Sequence, residues 1–222
     1  MSETYGPDEL IRDLAVSRET VERLVTHRRL LAEGSERANL VGPKELDNYW
    51  RRHALDCAQL VRLAPEARRW VDLGSGAGFP GIVVACLLAE QPDTAIHLVE
   101  ATGKKARFLE EVIREIGLPA KVYNVRIEDF GAGDGPYDVV AARAFAPLKR
   151  ILGHAKPILD RGAQGLFHKG SSWEAELADA RNALGGASGP NVGPYRADVL
   201  ESLSDPRGRI LRIRKAERSQ AP

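Results

Sequence analysis

This chain of 222 residues has no long apolar run, only two cysteine residues and almost no excess of one charge over the other. The longest apolar run, residues 82–89, is far too short to span a membrane, and no basic-plus-apolar signal segment opens the sequence. The two cysteines, Cys57 and Cys86, are not spaced as a metal site and do not suggest a disulfide framework. We therefore expect a protein of the reducing cytoplasm with no membrane partner and no metal. We also expect a monomer, although no feature of the sequence determines the oligomeric state.

The net charge of +1 does not by itself indicate a polyanionic partner. At 43% hydrophobic residues the chain can bury a core, and 28% charged residues are typical of a protein that dissolves in water. The length suits one large domain, or one domain with a helical extension.

The most informative stretch runs from Val71 to Gly81 and reads VDLGSGAGFPG. Its glycines, Gly74, Gly76 and Gly78, lack a Cβ, so the backbone can turn tightly and come close to a ligand. Strand residues precede this turn and an apolar helical run follows it. The pattern predicts the first strand–loop–helix unit of a doubly wound fold, in which cofactors bind at the carboxyl ends of the strands.

The spacing of the glycines helps to choose between cofactors. A dinucleotide fingerprint that starts at Gly74 needs a third glycine at position 79, which is Phe79. Glu100 closes the next apolar run, 22 residues past Gly78, close to the offset of about 20 at which an acid holds a ribose diol. A second acid, Asp72, is easier to reconcile with a cationic ligand than with a pyrophosphate. S-adenosylmethionine fits these features, and a nicotinamide dinucleotide remains an alternative of lower weight.

Strands and helices alternate from residue 69 onward, which argues for a largely parallel sheet. The pattern predicts strands at 69–73, 94–100, 120–125, 137–142 and 163–168, helices at 80–91, 103–116, 147–159 and 172–184, a loop at 185–194, and a hairpin of 195–201 with 209–214. Helices also fill 8–40, with Ser17 as an N-cap and Gly34 as a stop, and 44–63. We predict a doubly wound, mostly parallel seven-stranded α/β sheet with an antiparallel C-terminal hairpin. Residues 1–66 form a helical extension, and 67–218 form one structural unit.

Polar and charged residues follow the predicted strands and share one crevice. Glu128 and Asp129 can accept from an adenine amine, or they can serve as turn residues. Arg143 and Lys169 end two strands, and they belong to a segment (143–170) with six basic residues against Asp160 alone. Such charges suit phosphate contacts, although a solvated helix face explains some of them. A second basic cluster consists of Arg207, Arg209, Arg212, Arg214, Lys215 and Arg218.

The crevice offers no obvious covalent or acid–base chemistry. Neither cysteine is placed as the nucleophile that pyrimidine C5 methylation needs, and the turn after the fourth strand lacks the Asn/Asp-Pro-Pro-aromatic pattern of exocyclic-amine methylases. The absence of a general base fits an acceptor with a free lone pair, such as guanine N7. Methyl transfer to such an atom depends mainly on in-line positioning and on the electrostatic environment.

At several points the chain resembles the ribosomal RNA small subunit methyltransferase G family, also called glucose-inhibited division protein B. The matching segments are Asn39-Leu40-Val41, Arg52-His53-x-x-Asp56-Cys57, Asp72 to Gly81, Lys104-Lys105-x-x-Phe108-Leu109, Arg143-Ala144-Phe145-Ala146 and Lys169-Gly170. They occur in family order over residues 39–170. Family members often have serine where this chain has Cys57, which is a conservative departure.

The resemblance implies a class I S-adenosylmethionine-dependent methyltransferase of Rossmann-like fold. Its substrate would be guanine N7 in small-subunit (16S) ribosomal RNA, at the decoding-region guanosine numbered 527. The partner would be this RNA or the ribosomal subunit. Carried over by resemblance, the cofactor contacts are Gly74, Phe79, Ile127, Glu128 and Arg143; the turn adds Ser75, Gly76 and Gly78, and the ribose argument adds Glu100. No catalytic residue is assigned, and Arg143, Lys169, His53 and Arg52 are candidate contacts to the substrate or the transition state.

Other functions remain open at this point. A related methyltransferase acting on a different RNA, a protein or a small molecule would use the same cofactor pocket. A catalytically silent RNA-binding or assembly protein would keep the fold alone, and a dehydrogenase is a weaker alternative. The basic strand-end residues disfavour a small apolar acceptor, and the intact glycine turn with Glu100 disfavours a silent protein.

Overall fold

The computed structural model describes residues 5–38, 40–185 and 190–216, so that Asn39 and Arg218 lie outside the described residues. The chain begins with α1 (Pro7–Leu14), α2 (Arg18–Ala38), α3 (Pro43–Asp47), a π-helical segment (Tyr49–Leu55) and α4 (Asp56–Leu63). The hydroxyl of Ser17 accepts a hydrogen bond from the Thr20 backbone N–H at 3.1 Å, which confirms Ser17 as an N-cap.

An eight-stranded sheet forms the centre of the molecule. Its strands are β1 (Arg69–Leu73), β2 (Ala95–Val99), β3 (Ala120–Tyr123), β4 (Val139–Arg143), β5 (Gln164–Lys169), β6 (Asn191–Val192), β7 (Tyr195–Glu201) and β8 (Arg209–Lys215). The order is β3-β2-β1-β4-β5-β8-β7-β6. Strands β1 to β5 are parallel, whereas β8 and β7 run antiparallel at one side. This is the predicted doubly wound sheet, with its order reversing between β1 and β4.

Five helices connect the strands: α5 (Gly81–Leu88), α6 (Gly103–Ile116), α7 (Ile127–Phe130), α8 (Leu148–Leu159) and α9 (Trp173–Leu184). Successive residues of a strand point to opposite faces of the sheet, so Trp70 joins one buried cluster and Val71 joins the other. The first cluster also contains Leu24 and Leu31 of α2, so the N-terminal helices share this core; α2 packs against α5 and α6, and α4 packs against α5. The boundary at residue 67 stays a prediction.

Two expectations differ from the structure. The segment 185–194 contains β6, an eighth strand whose Asn191 pairs with Arg196 of β7, because a two-residue strand is too short to leave an alternating pattern. Gly34 does not stop α2, which continues to Ala38. A Cβ at Gly34 would lie 2.9 Å from Leu40 and 3.0 Å from the Phe108 ring, so this glycine allows close packing against α6.

The predicted helix at 44–63 is interrupted by its π-helical segment. Seven residues, Tyr49–Leu55, adopt this wider helix, and α4 follows without a break. π-Helical turns are frequent at functional sites because they alter which backbone and side-chain groups face a neighbour. Here the segment lies beside the carboxyl ends of β1 and β4, since His53 stacks on Phe79 and the Arg52 carbonyl accepts from Arg143. Over the described ranges, no helix combines the length and apolar character needed to cross a membrane.

Candidate functional site

A cavity of about 550 Å³ opens where the strand order reverses, at the carboxyl ends of β1, β2 and β4. This is the place where doubly wound sheets bind their ligands. We call it the donor cavity. The predicted site residues that line it are Arg52, His53, Gly74, Ser75, Gly76, Phe79, Glu100, Ile127, Glu128 and Arg143. The cavity is also lined by Ala101, Thr102 and Lys105, which belong to the crevice segment 100–105 expected after the second strand, and by Leu40, Val41, Glu45 and Arg126, which sequence reasoning did not place there.

The turn after β1 depends on backbone conformations that favour glycine. Gly74 and Gly76 have φ angles of +76° and +57°, in the left-handed region. The Ser75 hydroxyl donates to the Asp72 carbonyl at 3.1 Å and fixes the turn from within. Gly78, at φ +100°, does not line the cavity, and a Cβ there would lie 2.6 Å from Ile82. Its role in the structure is therefore packing of the turn against α5.

Glu100 is held at the end of β2 by two backbone groups. One carboxylate oxygen accepts from the Gly76 N–H at 2.9 Å and the other from the Thr102 N–H at 2.7 Å. The residue is only 7% exposed, yet it lines the donor cavity. Each oxygen keeps a further lone pair, so the carboxylate can accept from two neighbouring hydroxyls. This arrangement matches the requirements of a ribose diol.

Substitution of Glu100 by glutamine is expected to weaken adenosine-cofactor binding by about 10- to 100-fold, the range for losing a hydrogen bond to a charged group. The amide offers one oxygen and one NH₂ group, so one of the two backbone N–H groups loses its acceptor. Isothermal titration with S-adenosylmethionine measures the effect. Glu110→Gln, on the exposed side of α6, is the control and keeps the parent affinity. Equal affinity of Glu100→Gln and the parent would show that Glu100 does not bind the cofactor.

Asp72 is buried below the turn rather than exposed beside it. One oxygen accepts from the Gly81 N–H at 3.0 Å, at the start of α5, and the other has no partner among the described residues. Burial raises the pKa of Asp72 to about 7, against the hydrogen bond from the Gly81 N–H, which lowers it. Asp72 does not line the donor cavity, so its carboxyl acts on the turn and on α5.

The raised pKa of Asp72 predicts a pH-dependent stability effect. Between about pH 4 and pH 7 the folded chain keeps a proton that the unfolded chain releases, so rising pH lowers the free energy of unfolding over this window. Asp72→Asn has no such proton. Its stability relative to the parent is expected to rise with pH by up to about 1.4 kcal/mol per unit and to level off above pH 7. Urea unfolding at several pH values tests this, with the exposed Asp179→Asn as the control. A difference independent of pH would contradict it.

Arg143, the last residue of β4, is enclosed by the π-helical segment and α4. Its Nε lies 3.1 Å from the Asp56 carboxylate, and its Nη2 donates to the Arg52 carbonyl at 2.8 Å. Its Nη1 donates to His53 Nδ1 at 3.0 Å, and the guanidinium lies over the Phe79 ring. Both ion-pair partners are largely buried, with side chains 14% and 13% exposed. The arginine therefore joins the N-terminal helices to the end of β4.

His53 is buried, not solvated as its position between charged residues suggests. Its ring stacks on Phe79 at a centroid distance of 4.2 Å. Burial, followed by the charge of Arg143, lowers the pKa of His53 to about 3, so the imidazole is neutral near pH 7. Because Nδ1 accepts from Arg143, Nε2 carries the proton, and this buried N–H has no partner among the described residues.

Asp56 connects this cluster to the C-terminal hairpin. Its carboxylate accepts from the hydroxyls of Ser204 at 2.5 Å and Ser202 at 3.3 Å, and its carbonyl accepts from His168 Nε2 at 2.7 Å. Burial alone would raise the pKa of Asp56, but His168, Arg143 and the two hydroxyls together hold it below its usual value. The signal in the sequence is a charged residue within the apolar run of α4. Ser202 and Ser204 leave no such signal.

A second cavity, of about 760 Å³, lies on the other side of Arg143. We call it the acceptor-side cavity. The two cavities share Arg52, Arg143, Ala144 and Phe145. Lys169, a predicted substrate contact, lines the acceptor-side cavity, but its ammonium donates to the Ala146 carbonyl at 2.7 Å and to Glu176 at 2.8 Å. Lys169 therefore fixes the segment after β4 and keeps one N–H for another acceptor.

A family model described as rRNA small subunit methyltransferase G matches residues 20–188. The chain belongs to this family. Proteins named ribosomal RNA small subunit methyltransferase G resemble it over most of its length. The one from Caulobacter vibrioides NA1000 is 46% identical over 89% of this chain and 86% of its own length. The one from Rhodospirillum rubrum is 44% identical over 96% of this chain and 99% of its own length. Membership in this family indicates methylation of small-subunit rRNA.

Solved structures share the fold at low sequence identity. A mutant of MtNAS in complex with S-adenosylmethionine superposes with a TM-score of 0.58 at 16% identity, covering 97% of this chain and 86% of that one. A methyltransferase from Aquifex aeolicus, described as dependent on that cofactor, gives a TM-score of 0.55 at 15% identity, covering 81% and 97%. These likenesses concern the architecture alone.

The remaining predicted residues of this methyltransferase G family member have different surroundings. Ile127 is buried at the start of α7 and forms an apolar wall of the donor cavity. Glu128 is exposed and pairs with Arg150 at 3.3 Å, while Asp129 does not line the cavity. Burial raises the pKa of both thiols, Cys57 and Cys86, to about 12, so neither is a ready nucleophile. Among the described residues, no group of three or more His, Cys, Asp or Glu side chains could hold a metal ion.

Proposed function

We propose that the chain transfers a methyl group from S-adenosylmethionine to guanine N7 of small-subunit (16S) rRNA, at the decoding-region guanosine numbered 527. The observation that supports this proposal most is the pair of adjoining cavities on either side of Arg143, because a methyl transfer needs the methyl donor and the acceptor to lie next to each other. We propose further that the protein is a cytoplasmic monomer, in which residues 1–66 form a helical extension packed on the methyltransferase unit 67–218.

The residues of the donor cavity fit S-adenosylmethionine. Glu100 keeps two lone pairs beside the turn, which suits the ribose hydroxyls. Gly74 and Gly76 leave the turn free of side chains where the ligand approaches. Ile127 supplies an apolar surface for the adenine. The buried Nε2–H of His53 offers a donor for a carboxylate.

When bound, S-adenosylmethionine supplies a methyl group on a positively charged sulfur: the N7 lone pair forms the new N–C bond as the S–C bond breaks, and the positive charge passes to the guanine. No proton leaves N7, so the chain needs no general base. This agrees with a site in which His53 is neutral and the thiols are protonated. The contribution of the chain is to orient the two ligands and to exclude water.

Asp56 makes this environment compatible with the charge that develops on the guanine. If Arg143, which lines both cavities, had no acidic partner, its guanidinium would repel the positively charged guanine that the transfer produces. Arg143 instead forms a close ion pair with Asp56 at 3.1 Å, so its field at the wall is largely cancelled. Glu100 adds a negative charge on the donor side. The positive charge of Arg143 therefore serves to hold the π-helical segment and α4 against the end of β4.

The decisive experiment is transfer of a labelled methyl group from S-adenosylmethionine to small ribosomal subunits from cells that lack this gene, with the modified nucleoside identified. We expect N7-methylguanosine at one position. Cofactor binding without transfer would shift the proposal to a different RNA, a protein or a small molecule as acceptor. Absence of cofactor binding would overturn the assignment of the donor cavity.

A further inference from the structure

The acceptor-side cavity has no role in the cofactor argument, yet it is the larger of the two. Its volume of about 760 Å³ lies in the range of roughly 300–1,000 Å³ that is typical of pockets for small molecules and nucleotides. It is bounded by the segment after β4, the end of β5, the π-helical segment and the loop before β8. It adjoins the donor cavity, since Arg52 and the segment 143–145 line both.

The floor of this cavity is polar but electrically balanced. Asp56 pairs with Arg143, and Lys169 pairs with Glu176. His168 is 8% exposed; its Nε2 donates to the Asp56 carbonyl, so Nδ1 is an acceptor, and this atom is buried without a partner among the described residues. The remaining N–H of Lys169 is a donor. Such a floor suits an uncharged ligand with hydrogen-bonding edges, which describes a nucleobase.

The rim carries three arginines, Arg51, Arg52 and Arg209, against one carboxylate, that of Asp205, whose ion pair is with Arg207 at 3.5 Å. Over the ranges that the structure describes, Arg51, Arg52 and Arg209 form no ion pair with an acid. Arg51 donates to the Ser204 carbonyl at 3.2 Å, and Arg209 donates to the Pro206 and Gly208 carbonyls at 2.8 and 2.7 Å. These contacts fix the side chains but leave their charges available. Guanidinium groups around a neutral pocket match the phosphates on either side of one base.

An aromatic ring stands at the wall between the cavities. Phe145 is half-buried and lines both of them. It follows Ala144, whose φ of +49° is left-handed and rare for a residue with a side chain. This turn brings the ring over Gly74, where a Cβ would lie 2.7 Å from it. The turn therefore presents the Phe145 ring, whose other ring neighbour is His154 at a centroid distance of 6.1 Å, where the two cavities meet.

We propose that the acceptor-side cavity receives one nucleotide extruded from the RNA, with its base stacked on Phe145 and its flanking phosphates at Arg51, Arg52 and Arg209. Extrusion gives an enzyme access to a base atom that pairing and stacking otherwise cover. This inference rests on the proposed function for the identity of the base. The binding of an extruded nucleotide in this cavity does not depend on which base is methylated.

The test measures the affinity of each variant for small ribosomal subunits from cells that lack the gene, by filter binding with S-adenosylhomocysteine present. Arg51→Ala and Arg209→Ala are each expected to weaken binding by about three- to tenfold and to lower the slope of log affinity against log salt by about 0.9. Phe145→Leu is expected to weaken binding by about 5- to 150-fold, the range for losing one stacked base. Arg196→Ala, an exposed arginine of β7 paired with Asp198, is the matched control and binds as the parent does.

A parallel titration with S-adenosylmethionine separates the two cavities. The arginine variants keep the parent cofactor affinity if the assignment is correct. Parent-like affinity for subunits in Arg51→Ala, Arg209→Ala and Phe145→Leu would overturn the assignment, even if methyl transfer by the parent is normal. A Phe145→Leu variant that loses cofactor and subunit affinity equally would overturn the stacking role. If the parent binds subunits but methylates no guanine, the proposed function fails. The affinities of the same variants for subunits still show whether the acceptor-side cavity binds RNA.

Discussion

Replacement of Gly74 by valine is expected to abolish S-adenosylmethionine binding, with a loss of at least about 100-fold in affinity. Gly74 lines the donor cavity at φ +76°, and a Cβ there would lie 2.7 Å from Phe145. A valine side chain would either fill the space of the ligand or displace Phe145 from the wall between the cavities. Isothermal titration reports the affinity, and circular dichroism reports whether the fold persists.

Gly117 provides a matched control for this variant. It ends α6 at φ +73°, nearly the conformation of Gly74, and nothing lies within 4 Å of a Cβ built there. Gly117→Val therefore carries the same backbone strain without filling the donor cavity. We expect it to lose stability but to keep its cofactor affinity. If both variants bind S-adenosylmethionine as the parent does, the cofactor does not occupy the donor cavity.

Replacement of Arg143 by alanine is expected to lower the free energy of unfolding by about 3 kcal/mol, because it leaves Asp56 buried without its partner charge. The variant also loses the contacts to His53 and to the Arg52 carbonyl, so the π-helical segment loosens at the donor cavity. Methyl transfer should then fall together with stability. Urea unfolding and the transfer assay, made on the same preparation, measure both effects.

Two comparisons identify the cause. In the double variant with Asp56→Asn no uncompensated carboxylate remains, so its total loss should be smaller than the sum of the single losses. Arg214→Ala removes an exposed partner of Asp198, with a side chain 47% exposed, and should cost less than about 1 kcal/mol. A loss for Arg143→Ala no greater than that for Arg214→Ala would show that the buried pair does not stabilise the fold.

Most strands, helices and turns could be predicted from local sequence because each of them depends mainly on residues that are neighbours in the chain. The glycine turn after β1, the helix at 103–116 and the hairpin strands follow from apolar periodicity and from turn residues. The exception at Gly34 is instructive. A glycine in a helical pattern suggests the end of the helix. Here Gly34 lies within α2, and the lack of a side chain lets Phe108 of α6 pack closely against it.

The site could be predicted only where it is made of strand ends. Glu100 and Arg143 follow from the rule that parallel strands point their carboxyl ends at one crevice. The pairing of Asp56 with Arg143, and its hydrogen bonds to Ser202 and Ser204, join segments that are 87 to 148 residues apart in the chain, and no local pattern encodes them. Burial of His53 likewise depends on Phe79, which a helical wheel does not contain.

The π-helical segment makes the length of the chain between Gly42 and β1 as important as its composition. A π-helix holds more residues in each turn than an α-helix, so it behaves as an α-helix with a residue inserted. Relaxation of the segment to the α form without loss of a residue would rotate everything before it by about 100° relative to α4. His53 and Asp56 would then no longer face Arg143 together. The extra residue of this segment therefore sets the rotation of the helical extension relative to the site, whichever side chains the segment carries.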